Sequence, residues 1–509
     1  MTLTYKSPGV YIKEFDGGVK PIQPMGGAVP AFIGITAEAK TFDQDTREWV
    51  TDEDVLKKPI QVTSWAQFTR IFGGPISGAY LPDAVYGYFA NGGGLCYVTS
   101  IRALKDEAGD VKSAEVAIPS TGKGNSFKVT AKKPGVEGNK LVVNIKVEKD
   151  TFTMNVGGEI KSGLAMKKGK DYIGNVTFGA VSISDVGSAS AMPKDGVYAL
   201  AGGSGDPLTP ADFIGDPTNR TGLYGLEPLD DVRLVLCPDA IPYTYNGSEA
   251  DQKYIKTIQK AMIGHCEKMR YRFAILDTPP KLNVQQVKEW RKKLERPTSY
   301  AAVYYPWIEI SNLGGNGSTR NMVPPSGHIA GIYNRSDAER GVHKAPANEV
   351  VRGAIDLEFR LSRGDQDVLN PEGVNCIRAF PDRGIRVWGG RTLEKEPAWR
   401  YINVRRLFIM VEASIDAGLQ WVVFEPNDKT LWAKVRRDVT SFLRTVWRSG
   451  ALFGDTPEQA FYVKCDEDLN PPEIRDLGQL IIEVGLAPVK PAEFVIFRIT
   501  QWAGANAES

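Results

Sequence analysis

Between Asp231 and Tyr305 the sequence alternates short apolar runs with longer stretches that are apolar at helical spacing, and no other feature restricts the fold so tightly. Asp231–Cys237, Phe273–Leu276 and Tyr300–Tyr305 read as strands. Ile255, Ile258, Met262, Cys266 and Met269 fall on one face of a helix, and Val284, Val287 and Leu294 on one face of another. Strands separated by helices cannot pair through hairpins. They must run parallel in one sheet covered on both faces. Upstream, Ala31–Ile35 is a buried-type strand and Thr63–Phe68 opens a short helix with Ser64 as N-cap. Leu81–Phe89 continues as helix, stopped by Asn91-Gly92-Gly93-Gly94, and Cys96–Ile101 is the next strand.

The alternation is interrupted from Lys105 to about Leu200, where Lys, Gly, Ser, Val and Thr dominate and apolar residues recur at every second position. Phe127–Thr130, Leu141–Val147 and Thr151–Val156 are short strands between glycine turns, which predicts an inserted all-β domain. Insertions of this kind are tolerated where the chain already passes over the surface. Neither glycine-rich stretch suits a nucleotide. Asn91–Gly94 lies between a helix and a strand, the reverse of a P-loop, and Thr121–Gly124 lacks the P-loop spacing.

Asp337 to Trp399 carries turn punctuation between short apolar runs, at Pro346, Asn370-Pro371, Gly373, Asp382, Gly384 and Gly389-Gly390. Val374–Phe380 and Ile385–Trp388 read as strands, with arginines at Arg378, Arg383, Arg386 and Arg391 and again at Arg400, Arg405 and Arg406. Such a stretch suits a rigid, arginine-bearing surface better than a catalytic centre. His265, His328 and His343 stand in no protease or metal-ligand spacing. Asp239 and Asp277 fall just beyond two strand ends, where open α/β sheets bind ligands, but Pro238, Pro279 and Pro280 nearby offer turn formation or capping as the simpler role. An α/β hydrolase or metal-dependent transferase using these two carboxylates is the enzymatic alternative. An adhesive or carbohydrate-binding protein would rest on the inserted β domain alone.

Lys plus Arg number 62 against 61 Asp plus Glu, so no global field draws the chain to nucleic acid or an anionic membrane. The five cysteines, Cys96, Cys237, Cys266, Cys376 and Cys465, are far apart and read as reduced, buried thiols of a protein made in the cytoplasm. The opening residues lack a signal peptide's apolar core, and no apolar run approaches the ~20 residues of a membrane span.

One local charge concentration stands out. In the helix predicted over Thr430–Arg448, Trp432, Val435, Val439, Phe442, Leu443 and Val446 form one stripe. Lys434, Arg437, Ser441, Arg444 and Arg448 lie about 180° away at ~100° per residue. The basic face is either simply solvated or meant for an acidic partner. Phe461–Lys464 and Ile481–Val484 read as further strands. Strand-like runs without a neighbour in sequence stand at both ends: Val10, Tyr11, Ile12 and Phe15 in the first, and Glu493–Trp502, with Phe494, Ile496, Phe497 and Ile499, in the second. Each either edges its own domain's sheet or completes the sheet of a neighbouring copy. Because arm and acceptor are different surfaces, the second option propagates as rings or helices.

The stretches Arg340–Asn348 (RGVHKAPAN), LNPEGVNCIR, RGIRVWGGRTL, INVRRL, FEPND and APVKPAEFV, in that order, resemble the contractile tail sheath family of myovirus-type phage tails, R-type pyocins and phage-tail-like injection systems. SPGVYIKEFDGG near the start resembles that family's opening. The resemblance implies an α/β core of subtilisin-like but inactive topology, an inserted all-β outer domain, an α+β C-terminal domain and extended strand arms at both ends. The expected divisions are an arm over 1–30, core over 31–104 and 201–360, insertion over 105–200, a tube-facing domain over 361–490 and a second arm over 491–509. It further implies a non-enzymatic subunit without cofactors or metals, polymerising as stacked rings or a helix around an inner tube. Contraction would drive the tube through a target envelope without nucleotide hydrolysis. Expected partners are further copies, the inner tube protein, and baseplate and terminator or cap proteins, with no nucleic acid and no membrane insertion. Assembly would take place in the bacterial cytoplasm, in a phage tail or tail-like particle that can be released. Within this reading Lys434, Arg437, Arg444 and Arg448 face the tube.

Overall fold

The computed structural model describes residues 22–496 and 498, apart from 25–26, 45–46, 48, 53–54, 105–111, 133–134, 189–190, 203–207 and 315–319. Two compact units are formed. One gathers residues 27–340 and 345–405; the other gathers 341–344, the chain from 406 onward and, before residue 27, the described residues 22–24.

The first unit is built on an eight-stranded sheet, in the order Gly384–Trp388, Val374–Phe380, Ala301–Tyr305, Phe273–Asp277, Leu234–Leu236, Pro30–Thr36, Cys96–Ala103 and Pro59–Val62. The six inner strands pair in parallel, and only the two edge strands are antiparallel. Burial on both faces explains why FAIL, the run before Asp277, and AAVYY are apolar throughout rather than alternating. Helices Glu249–Met269 and Val284–Leu294 pack Ile258, Met262, Val287 and Trp290 against Val235, Ala274 and Val303 on one face. On the other face Phe32 meets Tyr88 edge-on, and Tyr333 bonds Tyr304 through their hydroxyls at 2.8 Å. The helices carrying Tyr88 and Tyr333, Leu81–Ala90 and Ser326–Arg340, approach closely because glycines line the seam. A Cβ at Gly327 would stand 2.2 Å from the Ala84 carbonyl oxygen, and one at Gly331 2.5 Å from that of Tyr88. A small sheet of Arg320–Val323, Ile308–Ser311 and Ala354–Leu357 completes this part.

The insertion is all-β, as its alternation predicts. Strands Glu159–Leu164, Thr151–Val156, Val142–Glu148 and Gly196–Ala199 form one antiparallel sheet, and Val181–Ser184, Asn125–Ala131 and Glu115–Pro119 another. Its core, which includes Phe127, Phe152, Met154 and Phe178, draws only on residues between Ala114 and Leu200.

The second unit contains most of helix Ile402–Gly418, helix Lys429–Arg448 and the hairpin Phe461–Lys464 with Glu483–Leu486. Leu407, Val411, Val435, Val439, Phe442 and Leu443 are among its buried residues. Ile22 packs against Gly418, where a Cβ would come within 2.6 Å of the isoleucine side chain.

Four expectations change. Residues 361–405 do not belong with the C-terminal unit, because Val374–Phe380 and Gly384–Trp388 close the main sheet. The strand expected over Asp231–Cys237 shrinks to Leu234–Leu236: Arg233 and Leu234 both donate to the Val29 carbonyl, and Pro238 starts a 3-10 turn. The strand expected at Ile481–Val484 pairs over Glu483–Leu486. In Glu493–Trp502 the described residues, 493–496 and 498, form no strand. Val10, Tyr11, Ile12, Phe15, Phe497 and Ile499 lie outside the described residues, as does most of the loop Gly314–Ser318.

Candidate functional site

Asp239 and Asp277 occupy strand ends, and both are engaged in holding helices. The Asp239 carboxylate accepts backbone N–H bonds from Ile35 (2.7 Å), Tyr80 (2.6 Å) and Leu81 (3.2 Å). Tyr80, the residue before helix Leu81–Ala90, supplies no side-chain cap, so Asp239 satisfies that helix's first donors from 158 residues away. Asp277 accepts from the Ser326 N–H (2.9 Å) at the start of Ser326–Arg340. Burial pushes each carboxyl up to about 7, against the opposing pull of these donors. Nothing here forms a nucleophile–base pair. His265 lies 2.6 Å from the buried Arg272 guanidinium, which is also held by the Leu226 and Leu229 carbonyls. His328 is buried beside Gly87. Burial lowers both imidazoles to about 4. All five cysteines are buried free thiols. Among the described residues no group of three or more His, Cys, Asp or Glu is placed to hold a metal, and no helix is long and apolar enough to cross a membrane.

The basic helix is where the surface becomes distinctive. It runs Lys429–Arg448, one residue earlier than the sequence pattern predicts, because Asp428 caps it by accepting from the Leu431 N–H (2.8 Å). Leu431, Trp432, Val435, Val439, Phe442, Leu443 and Val446 are buried in their own unit. Lys434, Arg437, Arg444 and Arg448 are all exposed, as the 100° periodicity requires. Asp438, the one acid among these cations, is buried and is held by Arg437 Nε at 3.1 Å. Arg436 is turned to use within the unit, donating to the Cys465 carbonyl (3.0 Å). Lys434, Arg437, Arg444 and Arg448 share one face, while Lys429 at the helix start pairs with Glu467.

Two further surfaces complete the description. Phe494, Val495 and Ile496 are exposed, Ile496 to 83%, in a segment without strand pairing among the described residues. In the loop before the basic helix, Val423 and Phe424 are also exposed, Phe424 fully. The sequence pattern does not single out this pair, since Val-Phe after Trp421-Val422 reads as core. Their local signals are the FEPND stretch that Phe424 opens and, within it, Glu425-Pro426, which ends any regular element.

Residues 236–393 match the phage tail sheath protein central domain, and residues 394–501 the phage tail sheath C-terminal domain. The tail sheath protein of Salmonella phage ViI is 29% identical over 210 residues, covering 40% of this chain and 32% of that protein. A putative prophage major tail sheath protein of Pseudomonas aeruginosa (strain UCBPP-PA14) is 27% identical over 256 residues, covering 48% and 63%. The chain thus spans less than two-thirds of the length of these curated relatives. Among solved structures, the sheath complex of an extracellular contractile injection system, PVC, in its contracted state superposes with TM-score 0.59 at 25% identity, covering 99% of both chains. The helical sheath of the anti-feeding prophage in its contracted state gives TM-score 0.59 at 24% identity, covering 98% of this chain and 100% of that one, a likeness of fold. With both domain models matched end to end over residues 236–501, the chain belongs to the phage tail sheath family.

Proposed function

We propose that this chain is the structural subunit of a contractile tail sheath, polymerising as stacked rings or a helix around an inner tube and contracting to drive that tube through an envelope. The observation that carries the tube contact is the exposed face of Lys434, Arg437, Arg444 and Arg448 on a helix whose opposite face is core. Its partner is an acidic tube surface. Exposed ion pairs contribute only ~0.2–1 kcal/mol each, so grip comes from repetition over many copies and can be released together on contraction. Copies link through the terminal arms, with Phe494 and Ile496, and by the same reading Val10, Tyr11, Ile12, Phe15, Phe497 and Ile499, completing a neighbour's sheet. The exposure of Phe494 and Ile496 supports this. A mostly parallel sheet with helices on both faces supports the inactive subtilisin-like core, and the insertion's self-contained core supports its place as an outward decoration. Baseplate and terminator proteins follow as further partners, and assembly in the bacterial cytoplasm follows from the same reading.

The test is the double substitution Arg444→Glu and Arg448→Glu, which leaves the Arg437–Asp438 pair in place. Folding and sheath–sheath contacts are retained, while assembly around the tube in the extended state is lost. Electron micrographs of native-like extended particles from the double variant would return the helix to a merely solvated face.

A further inference from the structure

Phe424 is held in a conformation that its side chain does not favour. Its φ is 69°, in the left-handed region. Every other non-glycine residue described there is Arg, Lys, Asp, Asn or Glu. The loop around it is pinned. Val422 N–H donates to the Leu419 carbonyl and Glu425 N–H to that of Val422, closing a turn around Phe424. Asn427 then donates to the Gln479 carbonyl (2.8 Å) and accepts from the Trp432 indole (2.7 Å), and Asp428 caps the next helix. The unit therefore bears both backbone strain and the exposure of a phenyl ring, with Val423 beside it 59% exposed. Strain of this kind persists where it serves a site, and rigid, projecting aromatics are the commonest anchors of protein interfaces.

The rim of this knob is acidic. Glu425 and Asp428 adjoin it in sequence, and Glu467, tied to Lys429 at 2.8 Å, stands at the same helix end with Asp466 and Asp468, which Lys464 meets at 4.0 and 3.2 Å, so these five acids outnumber Lys429, Lys464 and the nearby Arg475. An acid-rimmed aromatic is repelled by the acidic tube that the basic helix requires, so its occupant is a basic surface with apolar content. The chain itself carries one. At the tip of the hairpin Val374–Trp388, the exposed Arg383 guanidinium lies 4.6 Å from the Phe380 ring centre and 5.7 Å from that of Trp388, and the two rings are 4.6 Å apart. We infer that Phe424 of one copy anchors on the arginine–aromatic hairpin around Arg383 of another copy, a contact between copies separate from the terminal arms. This rests on the proposed self-assembly.

The experiment uses the full chain, with sedimentation and electron microscopy of the polymer and thermal melting of the dispersed subunit. The native chain sediments as tubes; if it does not, the self-assembly reading falls before this one is reached. Phe424→Ala leaves the melting temperature unchanged, raises the concentration for half-assembly by about thirtyfold, the loss expected of an interface anchor, and Arg383→Ala does likewise. Phe424→Gly, which relieves the left-handed strain, melts no lower than native yet assembles as poorly as Phe424→Ala, separating an anchor from a loop that merely needs its ring. The double Phe424→Ala, Arg383→Ala is no worse than either single change. Native half-assembly in Phe424→Ala, or fully additive losses in the double variant, would overturn the pairing. So would loss of tube co-sedimentation with self-assembly intact, which moves the knob to the tube.

Discussion

Asp277 has left water to face the first N–H of a helix, and the two effects oppose each other. The helix end favours its charge and burial disfavours it, with burial prevailing and the carboxyl raised to about 7. In the unfolded chain the same group titrates near 4. Between about pH 4 and 7 the folded chain therefore holds a proton that the unfolded chain has released. Its contribution to stability is complete below that window, falls as pH rises through it and levels off above. Asp239 behaves in the same sense. In Asp277→Asn the amide oxygen still accepts from Ser326, and no proton is exchanged. The fall in melting temperature from pH 5 to pH 7.5 is then shallower than in the native chain; equal slopes would mean that Asp277 is ionised throughout. The prolines near both aspartates already favour a local structural role over a catalytic one. Which helix each carboxylate caps depends on contacts from Asp239 to residues 35, 80 and 81 and from Asp277 to residue 326, and no local pattern encodes these.

Elements were most legible where one physical signal dominates. The strands Val374–Phe380, Thr151–Val156 and Phe461–Lys464 end where their turn residues predict, and the buried stripe of Lys429–Arg448 follows from period alone. Short strands of mixed composition escape such reasoning. Glu159–Leu164 and Gly196–Ala199 carry glycine and few buried side chains, and only pairing to Thr151–Val156 and Val142–Glu148 makes them strands. The C-terminal segment shows the converse. Its apolar run Phe494-Val495-Ile496-Phe497 has the composition of a strand, but strand state needs a partner. Ile496→Lys tests whether a neighbour supplies one. The subunit keeps its melting temperature, because the side chain is exposed, while sedimentation shows assembly lost. Polymers of native length from this variant would exclude the segment from the lattice.

At the scale of the whole molecule the insertion has a core of its own beside the sheet it interrupts. Its core uses none of the sheet's residues, and Leu104 N–H stays bonded to the Thr36 carbonyl within the first unit. Joining Leu104 to Ala201 through a short linker leaves a cooperatively melting subunit that still forms sheaths in electron micrographs; a folded variant that never assembles would make the insertion part of the lattice. Strand order carries a different consequence. Pro30–Thr36 lies between Cys96–Ala103 and Leu234–Leu236, so an early strand of the chain is an inner strand of the sheet. On the ribosome it waits for its second partner, Leu234–Leu236, about 200 residues downstream, roughly 10–40 s at ~5–20 residues per second. The sheet edge at Gly384–Trp388 emerges later still. In the proposed sheath, nascent chains would thereby be kept out of a growing polymer until most of the subunit has been made, and translation itself would set the earliest moment of assembly.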